Sequence, residues 1–73
     1  MLNMTGGRLA RLRYQPGSFK VLVPGDHVRC AVTGRPIPLD ELRYWSHELQ
    51  EAYADAYAAV RRYEEARALG FLP

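Results

Sequence analysis

The chain has 73 residues, of which 48% are hydrophobic and 25% are charged, and a net charge of +2 at pH 7. These proportions are typical of a globular domain and argue against wholesale disorder. A domain this small buries only about 60% of the surface that its unfolded chain exposes. Because a single cysteine excludes an intrachain disulfide and cannot by itself build a four-ligand zinc site, we expect self-association to support the fold.

The start of the chain shows no apolar run of the length that a signal peptide needs, and no segment could span a membrane. A lone cysteine is typical of a reducing compartment. We therefore expect a cytoplasmic protein that does not associate with membranes. Residues 1–7 have no periodicity and predict a flexible N-terminal tail, and residues 8–73 predict a single domain.

Three short segments have the composition of β-strands, and turn dipeptides separate them. These segments are residues 8–14, 19–23 and 27–32, with Pro16-Gly17 and Pro24-Gly25 between them. Proline presets the second position of such a turn and glycine accepts the positive φ of the third. The pattern predicts an antiparallel meander.

The segment after the third strand is less regular. Pro36 and Pro38 flank Ile37 and lack the N–H that a ladder requires, so we expect Ile37 to stay outside the sheet. Residues 40–42 are compatible with one helical turn, whereas residues 42–45 favour a fourth strand at the edge.

The last third of the chain has the periodicity of an amphipathic helix over residues 47–69. Ser46 is a candidate N-cap and Gly70 a candidate C′ residue. The predicted apolar stripe consists of Leu49, Ala52, Tyr53, Ala56, Val60 and Tyr63. Such a helix would be about 34 Å long and would overhang strands of about 17 to 20 Å, which favours a second chain over its free end.

The predicted fold is therefore α+β, with a small antiparallel β-meander of three or four strands packed against one long C-terminal α-helix. The residues expected in its core are Val21, Val28, Cys30, Trp45, Leu49, Tyr53, Ala56 and Val60.

Charge is divided unevenly along the chain. Up to Arg35, six basic residues face Asp26 alone, whereas seven acids outnumber four arginines from Pro36 onward. A basic strand half and an acidic helical half favour self-association or a charged partner. They are also compatible with two simply solvated faces.

The sequence CAVTG at residues 30–34 resembles half of a zinc knuckle, with Thr33 in place of the second ligand. His27 and Cys30 would face opposite sides of one strand, which suits a shared ion poorly. We expect Cys30 to be a buried small hydrophobe, with no bound metal or cofactor. No catalytic constellation or phosphate-binding loop is present, so we do not expect an enzyme.

A surface of cations and flat rings is a candidate for binding a protein partner or nucleic acid. Its members are Arg8, Arg11, Arg13, Arg35, Arg43, Tyr44 and Trp45. Trp45 also has a structural interpretation, because a tryptophan beside a helix start often anchors a core.

Residues 25–56 contain the runs CAVTG, PIPL, ELRYWS and QEAY, and this segment resembles the bacterial family known as domain of unknown function 2093. The resemblance implies a small stand-alone bacterial protein and assigns no activity, cofactor, partner or functional residue. We expect a non-catalytic protein-interaction module, in one form a homodimer. The alternatives are a small nucleic-acid-binding protein and a degenerate zinc-ribbon-like module without bound metal.

Overall fold

The computed structural model describes residues 7–72, which form three separate antiparallel hairpins and one helix. Residues 1–6, on which most of the predicted tail falls, lie outside the described residues. The elements in chain order are β1 (Arg11–Gln15), β2 (Ser18–Val23), β3 (His27–Arg29), β4 (Pro36–Pro38), a 3₁₀ turn (Leu39–Glu41), β5 (Tyr44–Ser46), β6 (Glu51–Tyr53) and α1 (Ala56–Ala68).

The α+β class, with antiparallel strands and one C-terminal helix, is confirmed. The predicted turn at Pro16-Gly17 joins β1 to β2, and Gly17 takes the expected positive φ of 77°. The strands do not form one continuous meander, because β3 pairs with β4 and not with β2. The β-sheet is thus divided into three hairpins, β1–β2, β3–β4 and β5–β6.

The expectation that Ile37 would stay out of a ladder is wrong. Ile37 lies opposite Val28, and hydrogen bonds from Cys30 N to Arg35 O (2.9 Å) and from Leu39 N to Asp26 O (3.1 Å) flank this pair. Hydrogen-bonded pairs alternate along an antiparallel ladder, so both prolines fall at positions that need no N–H toward the partner. The two prolines are compatible with a strand because they are two residues apart.

The segment just before β1 runs beside β3. Ala10 donates its N–H to His27 O (2.7 Å), and Asp26 donates to Arg8 O (2.9 Å). A Cβ on Gly25 would lie 2.5 Å from Ala10 N, so only glycine permits this close backbone approach. The predicted turn at Pro24-Gly25 is wrong, because Gly25 does not have a positive φ and β2 does not pair with β3, so the glycine is needed for packing.

The predicted helix start at Ser46 is wrong. The Asp55 carboxylate accepts a hydrogen bond from Ala58 N (2.8 Å) and caps the helix. Residues 47–50 instead form a turn between β5 and β6, in which the Ser46 hydroxyl accepts from Leu49 N (3.1 Å). With 13 residues, α1 is about 20 Å long. It does not overhang the strands in the way that the sequence predicts.

The predicted helix end is confirmed. Gly70 has a φ of 84° and donates its N–H to Arg67 O, while Phe71 donates to Ala66 O at 2.8 Å. This pair of bonds is a Schellman motif, in which a left-handed glycine satisfies the last helix carbonyls. None of the helices in residues 7–72 is both long enough and apolar enough to cross a membrane.

The core is small and holds several alanines. Its buried residues are Ala10, Tyr14, Val28, Cys30, Ile37, Leu42, Ala52, Tyr53 and Ala58. The predictions for Val28, Cys30 and Tyr53 are confirmed, and Trp45 packs against this core. Leu49 is half-buried, whereas Val21, Ala56 and Val60 are exposed, so these three predictions are wrong. The helix begins later than predicted and turns Ala58 and Ala66 inward.

Candidate interaction surface

The two edges of the β1–β2 hairpin differ in how their backbone groups are paired. Residues joined across a two-residue turn, here Gln15 and Ser18, form a hydrogen-bonded pair. By alternation Leu12 and Tyr14 on β1, and Phe19 and Val21 on β2, direct their N–H and C=O groups away from the hairpin. These outward groups decide whether each edge is available to another strand.

Gln50 covers the β1 edge at Tyr14. Its side-chain amide accepts from Tyr14 N (3.0 Å) and donates to Tyr14 O (2.8 Å), and it also donates to His47 O at 2.7 Å. Gln50 has a φ of 55°, which is uncommon for a residue other than glycine. The turn between β5 and β6 therefore holds a strained residue whose side chain replaces a neighbouring strand.

The β2 edge has no such cover among residues 7–72. No backbone hydrogen bond from outside the hairpin reaches Phe19 or Val21 in that part of the chain. The side chains here are apolar as well as exposed, at 50% for Val21, 56% for Leu22 and 41% for Val23. An exposed apolar edge strand is a template for pairing with another chain.

Basic residues lie on the solvent face of the same hairpin. Arg13 is directly opposite Lys20, and both side chains are exposed. Arg11 is two residues before Arg13 on β1. None of these three cations belongs to the ion pairs formed within residues 7–72. The open edge is thus bordered by positive charge that no described acid neutralises.

A family profile described as an uncharacterized protein conserved in bacteria, DUF2093, matches residues 21–62, more than half of the chain. The chain belongs to the DUF2093 family. The family resemblance of residues 25–56 is thereby confirmed. No curated protein and no solved structure matches the chain. The segment that matches DUF2093 includes Cys30 and Gln50. β1 and the first half of β2 precede this segment.

In this DUF2093 protein Trp45 is used inside the fold. Its ring stacks on Tyr14 at 6.3 Å between centroids and meets Phe19 edge-on at 5.6 Å. The indole N–H donates to Gln15 O at 2.8 Å. Trp45 therefore joins the β5–β6 hairpin to the β1–β2 hairpin. These contacts are the ones expected of a tryptophan that anchors a core.

The other candidate surface residues lie on different elements. Arg11 and Arg13 are on β1, Arg43 and Tyr44 are exposed at the start of β5, and Arg8 precedes β1. Arg35 is in the turn before β4 and lies 4.0 Å from the Asp55 carboxylate. In the structure Lys20 joins Arg11 and Arg13 on one face of the first hairpin. A binding role for the full set of candidate residues stays a prediction.

Backbone N–H groups in the turn after Cys30 donate hydrogen bonds to its sulfur, as they do in half of a zinc knuckle. The buried sulfur accepts from Val32 N and Thr33 N, each at 3.4 Å. Burial raises the pKa of the Cys30 thiol, but hydrogen bonds from Thr33, Ala54 and Val32 outweigh it and lower the pKa below its usual value. No group of three metal-ligating side chains occurs in residues 7–72.

An apolar depression of about 280 Å³ lies between the β5–β6 hairpin and α1. Trp45, Tyr53, Val60, Tyr63 and Leu72 line it. Elsewhere on the helix a half-buried ion pair links α1 to β6, because Arg62 Nε lies 2.6 Å from Glu51 Oε1. The depression is a further apolar surface on the helical half.

Sequence reasoning missed the covered edge and the open edge. The left-handed backbone of Gln50 has no sequence signal, since glutamine is rarely found there. The alternation of Phe19, Lys20 and Val21 was visible, and it indicated the strand without indicating which of its edges would be left open.

Proposed function

We propose that this DUF2093 protein is a non-catalytic protein-interaction module that binds an extended partner segment along the outer edge of β2. The observation that carries the proposal is the contrast between the two hairpin edges. Gln50 occupies the outward groups of Tyr14, whereas those of Phe19 and Val21 face solvent among the described residues. A partner strand would form hydrogen bonds with these N–H and C=O groups, as in other domains that bind an extended peptide at a sheet edge.

The composition of β2 supports this use. Natural edge strands are commonly short, twisted by bulges, interrupted by proline or marked by a charged residue such as lysine. β2 is six residues long and contains no proline, so its protective features are Lys20 and the irregular register at Leu22 near its end. The exposed side chains of Val21, Leu22 and Val23 would lose apolar surface to an added strand, which favours binding.

The positions of the two residues best suited to catalysis support the non-catalytic part of the proposal. The Cys30 sulfur is buried and accepts hydrogen bonds from its own turn. His27 Nδ1 lies 2.6 Å from Asp26 Oδ1, and this contact lowers the pKa of Asp26. His27 lies in β3 and Cys30 directly follows it, so by strand alternation their side chains face opposite sides, which argues against the histidine as a base for the thiol.

Site-specific photo-crosslinking in the producing bacterium tests the proposal. A photoreactive amino acid replaces Leu22 on the open edge, and the control position is Arg61, exposed on α1. We expect a partner protein to be captured from position 22, to be absent from position 61, and to be lost when Val21→Pro removes an outward N–H. Equal capture from both positions, or capture unaffected by Val21→Pro, would contradict strand addition at β2.

A further inference from the structure

We infer that the segment accepted by β2 is acidic, with glutamate or aspartate at alternate positions between apolar residues. The inference rests on the proposed function and specifies the chemistry of the partner. It depends on the charges that border the open edge and on the alternation of side chains across a sheet.

The solvent face of the hairpin carries a charge pair that the described chain leaves unbalanced. Arg13 and Lys20 face each other across the two strands, and like charges directly opposite each other are unfavourable. Neither residue belongs to an ion pair within residues 7–72. A carboxylate placed beside Lys20 would convert this repulsion into attraction.

An added strand would place its side chains by the same alternation as β2. The residue that lies beside Lys20 points to the solvent face, and its two neighbours point to the face that holds Phe19 and Val21. The partner position beside Lys20 favours an acidic residue, and the positions on either side of it favour apolar side chains. The edge therefore selects an apolar, acidic, apolar sequence.

In the register that joins all of the outward groups of Phe19 and Val21, a second copy of the chain fits this edge less well. A two-fold antiparallel pairing that joins the outward groups of Phe19 to those of Val21 in the other copy is centred on residue 20. It places Lys20 opposite Lys20 of the second copy, which adds another like-charge pair. A single lysine on an edge strand is also a common device against self-pairing.

Nucleic acid would supply negative charge but would leave the edge unpaired. Its phosphates can contact Arg13 and Lys20, yet it offers no strand of alternating N–H and C=O groups to Phe19 and Val21. An acidic peptide satisfies both features at once, so the combination of open edge and cations favours a polypeptide.

Titration with three synthetic peptides tests the inference. Each is capped, has about six residues, the common strand length, and alternates valine with glutamate, threonine or lysine. NMR shifts of the Phe19 and Val21 amides at low salt report binding to the full chain. We expect the glutamate peptide to bind about tenfold more tightly than the threonine peptide, and the lysine peptide to bind most weakly.

Equal binding of the glutamate and threonine peptides would overturn the acidic preference while leaving strand addition in place. Failure of all three, together with no crosslink from position 22, would overturn the proposed function itself. A single-stranded oligonucleotide of mixed sequence is a fourth probe. If it binds more tightly than the glutamate peptide and Val21→Pro does not weaken it, the partner is nucleic acid and the inference is wrong.

Two variants separate binding from folding. Lys20→Glu places a carboxylate opposite Arg13, so the hairpin is stabilised by an opposite-charge pair. We expect this variant to unfold at no lower urea concentration than the native chain and to prefer the lysine peptide. Val21→Pro should weaken all three peptides. A Lys20→Glu protein that still prefers the glutamate peptide would contradict the inference.

Discussion

The side-chain amide of Gln50 makes two hydrogen bonds to the backbone of Tyr14, at 3.0 Å and 2.8 Å, as the backbone of a neighbouring strand would. This contact covers one edge of the first hairpin at Tyr14, and a third hydrogen bond from the same amide, to His47 O, holds the turn. The opposite edge, formed by β2, has no equivalent contact among the described residues. The difference between the edges underlies the functional proposal.

Substitutions at Gln50 should separate its side-chain bonds from its backbone strain. Gln50→Ala removes the amide and keeps the left-handed backbone, so we expect a loss of about 2 kcal/mol in the free energy of unfolding. Gln50→Gly removes the same bonds but relieves the strain at φ 55°, and should cost about 1 kcal/mol. Urea unfolding measures both. Equal losses in the two variants would show that the backbone at residue 50 is not strained.

Gly25→Ala should detach the segment before β1 from β3. The added Cβ would lie 2.5 Å from Ala10 N and 2.6 Å from Arg8 O, which are backbone atoms. We expect a loss of about 1–3 kcal/mol and faster hydrogen exchange at the Ala10 amide. Gly17→Ala is the comparison variant: its Cβ meets nothing within 4 Å but its φ of 77° strains alanine, so it should lose about 1 kcal/mol without faster exchange at Ala10. An unchanged Ala10 exchange rate in Gly25→Ala would rule out the close approach.

Asp55→Ala should destabilise α1 because it removes the hydrogen bond to Ala58 N. The expected loss is about 1 kcal/mol, together with reduced helicity by far-ultraviolet circular dichroism. Ser46→Ala should leave the helicity unchanged, since Ser46 lies in β5. If Ser46→Ala lowers helicity and Asp55→Ala does not, the helix begins where the sequence periodicity predicts.

The stability contributed by Cys30 should rise with pH. Hydrogen bonds to its sulfur hold the pKa of the folded thiol below its usual value, although burial opposes them. Between the folded and the unfolded pKa the unfolded chain binds more protons, so the free energy of unfolding increases as pH rises toward about 8.5. Conversely, this contribution to the free energy of unfolding is lost as pH drops through the pKa of the folded thiol.

Urea unfolding of the native chain and of Cys30→Ala over this pH range isolates the effect of the thiol. We expect the difference in unfolding free energy between the two proteins to grow with pH, and the thiolate ultraviolet absorbance to rise over the same interval. A difference that shrinks as pH rises would mean that burial outweighs the hydrogen bonds.

Local signals in the sequence were sufficient for the parts of the fold that depend on local chemistry. Pro16-Gly17 predicted the first hairpin, and Gly70 predicted the end of the helix, because both sites need backbone angles that few residues adopt. The α+β class followed from the strand composition upstream and the helical periodicity downstream.

Long-range contacts determined the parts that the sequence did not predict. Ala52 and Tyr53 fit a helical stripe, yet Ala52 accepts a hydrogen bond from Ala31 N at 2.9 Å and lies in β6. Val21 fits a core strand, yet it is half exposed, because Trp45 covers this face of β2 at Phe19. Which apolar face becomes buried depends on neighbours that are distant in sequence.

Hydrogen exchange at the amides of Phe19 and Val21 measures the openness of the β2 edge most directly. In the free protein both amides should exchange much faster than the Lys20 amide, which bonds to β1. Saturation with the valine–glutamate peptide should protect both and leave Lys20 unchanged. Protection of Phe19 and Val21 in the free protein, or no protection in the saturated complex, would contradict strand addition at this edge.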